Sequence, residues 1–130
     1  MPKQILIVDD NEDSCQVFTR FLRKEGYEVI LASDGDEGLQ KIEQSRPDLV
    51  LLDVMLPGIN GFEVCRRVKN NPSLRSIPIF IITAGIDPAL QEQGLNVGAE
   101  ELLSKPVRQP DLILKIRSHL DKPSSSPSTP

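Results

Sequence analysis

The sequence predicts an α/β fold: a single, doubly wound, parallel five-stranded sheet with helices on both faces. Three observations predict it. Short apolar runs rich in Ile, Val and Leu recur at residues 5–8, 27–31, 49–52, 77–82 and, more weakly, 102–103. Between them lie segments whose apolar residues repeat with helical period. Strand and helix therefore alternate. That order calls for βαβ crossovers, whose right-handedness places helices on both faces of the sheet.

The elements are taken in chain order. Residues 5–8 are wholly apolar, as in a strand buried on both faces. The helix expected over 13–25 places Val17, Phe18, Phe21 and Leu22 on one face, and Gly26 ends it. Residues 27–31 include Glu28, which marks an edge strand. A helix over 36–44 carries Leu39 and Ile42, and 49–52 is again wholly apolar. The helix over 61–69 carries Phe62, Val64, Cys65 and Val68, and the run 77–82 predicts a fourth, buried strand. A weaker helix over 89–97 has Leu90 and Leu95; after the short run 102–103, the helix over 111–120 carries Leu112, Ile113, Ile116 and Leu120. The final stretch, DKPSSSPSTP, is rich in Pro and Ser and is expected to be disordered, as a free end or the start of a linker. The expected division is thus a folded unit over 1–121 and a tail over 122–130.

Composition narrows the function. A chain of 130 residues, 38% hydrophobic and 26% charged, suits one domain with one real core. A net charge of −4 argues against direct nucleic-acid binding by this domain, because phosphate backbones need a basic surface. No apolar run approaches the roughly 20 residues that span a bilayer, so no membrane role is expected. The start, MPKQILIVDD, does not read as a secretion signal, and the cytoplasm is the expected location. Cys15 and Cys65 lack metal-ligand spacing and read as small buried residues. His119, the only histidine, falls in the last helix, where a solvated or helix-end role is expected.

The stretch VLLDVMLPG, residues 50–58, poses the functional question: an apolar strand leads straight into Asp53. A carboxylate at the edge of a core is costly unless something pairs with it or uses it. In a parallel sheet the C-terminal strand ends share one rim, where ligands bind. Asp9 and Asp10 come after the first strand, Asp53 after the third, Thr83 after the fourth, and Ser104, Lys105 and Pro106 after the fifth. Taken singly, each has an ordinary reading as a helix cap, a strand residue or a solvated lysine. Jointly they bring three carboxylates, a hydroxyl and an amine to one place. Carboxylates suit Mg²⁺, a carboxylate can act as a nucleophile toward phosphorus, and Lys105 and Thr83 can each reach a phosphoryl oxygen.

These residues resemble the receiver (response-regulator) domain of two-component signalling, through the segments ILIVDDNED, PDLVLLDVMLPGINGFEVCRRVK, IPIFIITA and GAEELLSKPV. The resemblance covers about residues 3–121 and implies a flavodoxin-like strand order 2-1-3-4-5. It implies that Asp53 is the phosphoacceptor, Asp10 a direct Mg²⁺ ligand, Asp9 a ligand through water and the Met55 backbone carbonyl a further ligand, with Mn²⁺ as a substitute. Thr83 looks like the switch hydroxyl, Lys105 its phosphoryl partner, the Lys105–Pro106 bond is expected to be cis, and Pro57–Gly58 the turn that leads the metal loop away. The implied protein is not an enzyme but a regulatory domain that assists its own phosphorylation and dephosphorylation. Its implied partners are a histidine kinase or phosphotransfer protein and a downstream effector, with a conformational shift at the fourth helix, fifth strand and fifth helix. It would be a monomer or a phosphorylation-dependent dimer.

Departures from the family pattern are Leu102 where an aromatic is usual, Val107 after Lys-Pro, and Asn60 where Asp is frequent. The loop NNPSLRSIP resembles that of receivers found alone, in hybrid kinases or beside cyclic-nucleotide-making domains more than that of the main DNA-binding class. Glu101, Lys115 and Arg117 could supply part of the charged network of that class, with Gln93 and Asn96 as uncharged substitutes. Two alternatives stand beside this reading. One is a haloacid-dehalogenase-type phosphotransferase, which would need a D-x-D motif where Asp9 and Asp10 are adjacent. The other is a receiver-like module that only docks.

Overall fold

The computed structural model describes residues 2–85 and 87–120. The elements run β1 (Gln4–Val8), α1 (Glu12–Lys24), β2 (Glu28–Ala32), α2 (Gly35–Ser45), β3 (Leu49–Asp53), α3 (Gly61–Lys69), β4 (Ile79–Thr83), α4 (Pro88–Asn96), β5 (Glu101–Ser104) and α5 (Gln109–Leu120). All strands are parallel, in the order β2-β1-β3-β4-β5. This is the expected doubly wound sheet, with β2 at an edge. The expected tail over 122–130 lies outside the described residues.

Side-chain alternation divides the core in two. Leu6, Val8, Val50, Leu52, Ile79 and Ile81 face one way and pack with Ile42 of α2 and with Phe62, Val64, Cys65 and Val68 of α3. Ile5, Ile7, Leu49, Leu51, Phe80 and Ile82 face the other way and meet Phe21 and Leu22 of α1 and Leu112, Ile113 and Ile116 of α5. The central strands are apolar at successive positions because both of their faces are covered.

Four helices begin at a residue whose side chain accepts a backbone N–H of the first turn: Asn11, Asp34, Asn60 and Asp87. Gly26, at φ 95°, takes the left-handed conformation that turns the chain out of α1 into β2, as the sequence predicts. Two helix faces depart from expectation. Val17 is 51% exposed, because the buried stripe of α1 runs through Cys15, Phe21 and Leu22, with Phe18 partly buried beside it. Leu95 is 72% exposed, and the buried residue of α4 is Gly94. The fourth strand starts at Ile79, two residues later than expected. Ile77 and Pro78 stay in the preceding loop, where Pro78 has no N–H for the ladder.

Polar contacts fasten the sheet's margins. At the N-terminal ends of the strands, Lys69 Nζ donates to the carbonyls of Arg75 (3.0 Å) and Ile77 (2.8 Å) and to Glu100 (2.8 Å). Glu100 in turn accepts the Ile79 N–H at 2.7 Å. Arg46 donates to the Ser73 carbonyl at 2.8 Å, so loop 70–78 is held at several points. On the open edge of the sheet, Lys41 Nζ donates to the Leu31 carbonyl of β2. Lys115 pairs with Glu101 at 3.1 Å as expected, and Arg117 reaches Glu25, beyond the end of α1.

Candidate functional site

The strand register brings the predicted residues to one rim. Val8 of β1 pairs with Leu52 of β3, so Asp9 emerges level with Asp53. Asp53 is itself the last residue of β3, opposite Ile82, and Thr83 is the last of β4, opposite Ser104. The backbone stays paired just past the strands: Asp9 N–H donates to Ala32 O, Val54 N–H to Ile82 O and Lys105 N–H to Thr83 O. The site therefore stands on rigid strand ends.

Asp9, Asp53 and Thr83 are the polar or charged residues buried among those described. Each of Asp9, Asp10 and Asp53 offers a carboxylate oxygen within 4.8 Å of the others, with Asp10 on the exposed side. Lys105 Nζ lies 3.1 Å from Asp53 Oδ2. The other Asp53 oxygen accepts the Met55 N–H at 3.0 Å, which ties the adjoining loop to this side chain. Thr83 Oγ1 donates to the Gly85 carbonyl at 3.3 Å. The Lys105–Pro106 peptide is cis, as expected, and Gly58 turns the loop after Asp53 at φ 77°.

The acid pair is not spent on capping. Asn11 caps α1 by accepting from Ser14 N–H at 2.9 Å, while Asp9 accepts from Asn11 N–H at 2.9 Å. Burial holds the Asp9 carboxyl above the ordinary carboxylate range, and nearby Asp53 adds to this; the Asn11 N–H and Lys105 oppose it. Buried carboxylates side by side with one ammonium leave negative charge undercompensated. Three hard oxygen donors on two strand ends fit a small divalent cation.

Met55 lies in the loop with an exposed side chain. Both cysteines are free and buried; burial pushes the Cys65 thiol up to about 12 and raises Cys15 as well. His119 sits at the end of α5, edge-on to Phe80, with its Nε2 3.9 Å from Glu101 Oε2. Leu102 is partly buried against the inner cluster and faces Gly94 of α4. Sequence reasoning missed Asn11 and Asn60 as caps, although an Asn just ahead of an amphipathic run signals one. It also missed a groove of about 490 Å³ beside Lys105, lined by Val17, Phe18 and Phe21 of α1 and by Ala84, Pro106 and Val107.

Comparison with known proteins gives a consistent result. A sequence model of the response regulator receiver domain matches residues 5–117. The chain is 42% identical over 118 residues to response regulator PleD of Caulobacter vibrioides, covering 91% of this chain and 26% of PleD. It is 36% identical over 128 residues to the DNA-binding response regulator MtrA of Mycobacterium tuberculosis, covering 98% of this chain and 55% of MtrA. The chain thus spans about a quarter to a half of these curated relatives. Among solved structures, a CheY-like receiver domain from Methanospirillum hungatei superposes with a TM-score of 0.86 at 34% identity, covering 94% of this chain and 96% of that one.

Proposed function

Since this chain belongs to the response regulator receiver domain family of two-component signalling, we propose that it is a switch operated by phosphorylation of Asp53. The observation that carries this reading is the meeting of Asp9, Asp10 and Asp53 at one rim, with Lys105 on Asp53. Asp9, Asp10, Asp53 and the Met55 carbonyl would hold Mg²⁺, or Mn²⁺ in its place. The bound ion would neutralise charge shared between the carboxylate and the incoming phosphoryl oxygens.

The chain's own residues do the rest. The Asp53 carboxylate attacks the phosphorus of a phosphohistidine on a histidine kinase or phosphotransfer protein. An O–P bond forms, the P–N bond breaks, and the imidazole leaves with a proton from solvent. Lys105 turns from the free carboxylate to a phosphoryl oxygen. The Thr83 hydroxyl leaves the Gly85 carbonyl and donates to another. The apolar groove beside Lys105 suits the approach of the phosphodonor protein. The change is carried to α4, β5 and α5, where an effector reads it.

The test is labelling with acetyl phosphate, then mass spectrometry. One Mg²⁺-dependent acyl phosphate per chain is expected, with none on the Asp53→Asn variant. Undiminished labelling of that variant removes Asp53 as the acceptor. Absence of label on the wild type favours a docking-only domain, and multiple turnover favours a phosphotransferase.

A further inference from the structure

Two glycines press against loop 54–60, which runs from Asp53 to α3. A Cβ on Gly35, the first residue of α2, would stand 2.5 Å from Ile59 Cγ1, 2.7 Å from the Ile59 carbonyl oxygen and 3.0 Å from Val64 Cγ2. A Cβ on Gly61, the first residue of α3, would collide with the Asp53 carbonyl oxygen and stand 3.0 Å from Val54 Cα. Neither has the positive φ of Gly26, Gly58 or Gly98, so what these positions require is space rather than an unusual conformation. The obstructing atoms include backbone, which cannot rotate aside as a side chain can. Gly38, also on α2, differs: its missing Cβ faces only the Val8 side chain, at 3.1 Å.

The loop between these points is short and tied at its start. Met55 N–H donates to Asp53 Oδ1, while Leu56 N–H and Gly61 N–H both donate to Val54 O. Its far end is tied at Asn60, whose side chain and carbonyl accept the Glu63 and Val64 N–H groups of α3, and Ile59, just before it, lies against the start of α2. The Asp36 carboxylate passes 3.9 Å from where a Gly58 Cβ would be.

We propose that Gly35 is a positioning residue for the metal site: the bare start of α2 fixes Ile59, and through it the placement of the Met55 carbonyl relative to Asp53. The inference rests on the reading of loop 54–60 as part of the Mg²⁺ site. A methyl at Gly35 pushes the loop backbone outward. Truncating Ile59 leaves the loop without its rest. Both misplace one ligand while leaving every carboxylate in the sequence.

The experiment titrates Mg²⁺ by calorimetry into the wild type, Gly35→Ala, Ile59→Ala and Ile42→Val, at a temperature where circular dichroism shows each folded. Amide shifts of residues 53–60 are recorded in EDTA. Gly35→Ala should raise the Mg²⁺ Kd about tenfold, the scale of losing a group that orients a metal ligand, and should shift these amides without metal. Ile59→Ala should act in the same direction. Ile42→Val loosens the buried side of the same helix and should leave Kd unchanged. Wild-type affinity with unshifted amides in Gly35→Ala overturns the inference. If Gly35→Ala does not fold, wild-type affinity in Ile59→Ala overturns it. A wild type that fails to bind Mg²⁺, or an Asp10→Ala variant that binds as tightly, overturns the metal-site reading and the inference with it.

Discussion

Helices α3 and α4 each have nine residues, yet they are held quite differently. Five residues of α3 are buried: Gly61, Phe62, Val64, Cys65 and Val68. Its exposed side carries Glu63 paired with Arg66 (2.5 Å) and Arg67 (2.7 Å), which holds the Glu63 carboxyl down at about 2. α4 buries only Gly94, has Glu92 as its one charged residue, and turns Leu95 to solvent. An amphipathic stripe locks a helix to its sheet, and α4 lacks one. The difference places rigidity where the loop after Asp53 must be fixed. It leaves the helix ahead of β5 with little buried contact of its own.

The largest test of this contrast is a pair of truncations. Phe62→Ala should cost about 3–5 kcal/mol in urea unfolding, whereas Leu95→Ala should stay within about 0.5 kcal/mol. Comparable losses would erase the contrast. Next is Thr83→Ala. It should leave Asp53 labelling nearly intact while suppressing the amide shift changes that phosphorylation causes at residues 100–107, since a bond to a charged group is worth roughly 1.5–3 kcal/mol. Leu102→Ala should instead lower stability through a cavity. If it blocks the shift changes as fully as Thr83→Ala, Leu102 is itself the moving part.

The carboxylate site supplies a third, smaller effect. Burial, then Asp53, hold the Asp9 proton more tightly in the folded chain than in the unfolded one. In metal-free protein this favours the folded state below the ordinary carboxylate range, and that contribution is lost as pH rises through the raised folded value. Asp9→Asn should therefore raise the Tm of the EDTA-treated protein at neutral pH. Mg²⁺ affinity runs the other way: full above the raised value and weakening as pH falls through it. Asp9→Asn should remove that part of the pH dependence in calorimetry, and an unaltered pH profile would contradict it. The smallest effect sharpens the contrast from the α4 side. A Cβ at Gly94 would meet Leu102 Cδ2 at an ordinary 3.5 Å, so Gly94→Ala should fit. It should add up to about 1 kcal/mol of helix preference and slow hydrogen exchange across α4 by roughly fivefold. Unchanged exchange would mean that α4 is already held by contacts other than its own helix preference.

The sequence made the strands and the rim legible for a physical reason. Continuous Ile, Val and Leu runs can be satisfied only by strands covered on both sides, and a parallel sheet must gather the residues just past those strands on a single rim. Asp9, Asp10, Asp53, Thr83 and Lys105 were therefore readable by position. Val17 and Leu95 were not, because the four apolar residues expected on one face of α1 and the two on α4 admit more than one inward face, and the neighbouring elements choose. Arg117 illustrates the same limit: a long cation at a helix end can reach several carboxylates, and its contact with Glu25, far away in the chain, is set by tertiary packing. The role of Gly35 was hidden because a glycine near a helix start reads as a cap or a turn, and a demand for empty space leaves no mark in composition.

The lysine laid along the free flank of the sheet has a consequence for how copies of this domain tolerate one another. An outermost strand with bare carbonyls is a template for another strand. Here Glu28 opens β2 with an exposed charge, and Lys41 occupies the Leu31 carbonyl. A second chain sliding alongside would have to dislodge that ammonium, desolvate it and accommodate a carboxylate before gaining its first backbone bond. On the β2 side of the sheet, strand addition by a neighbouring copy is thus disfavoured.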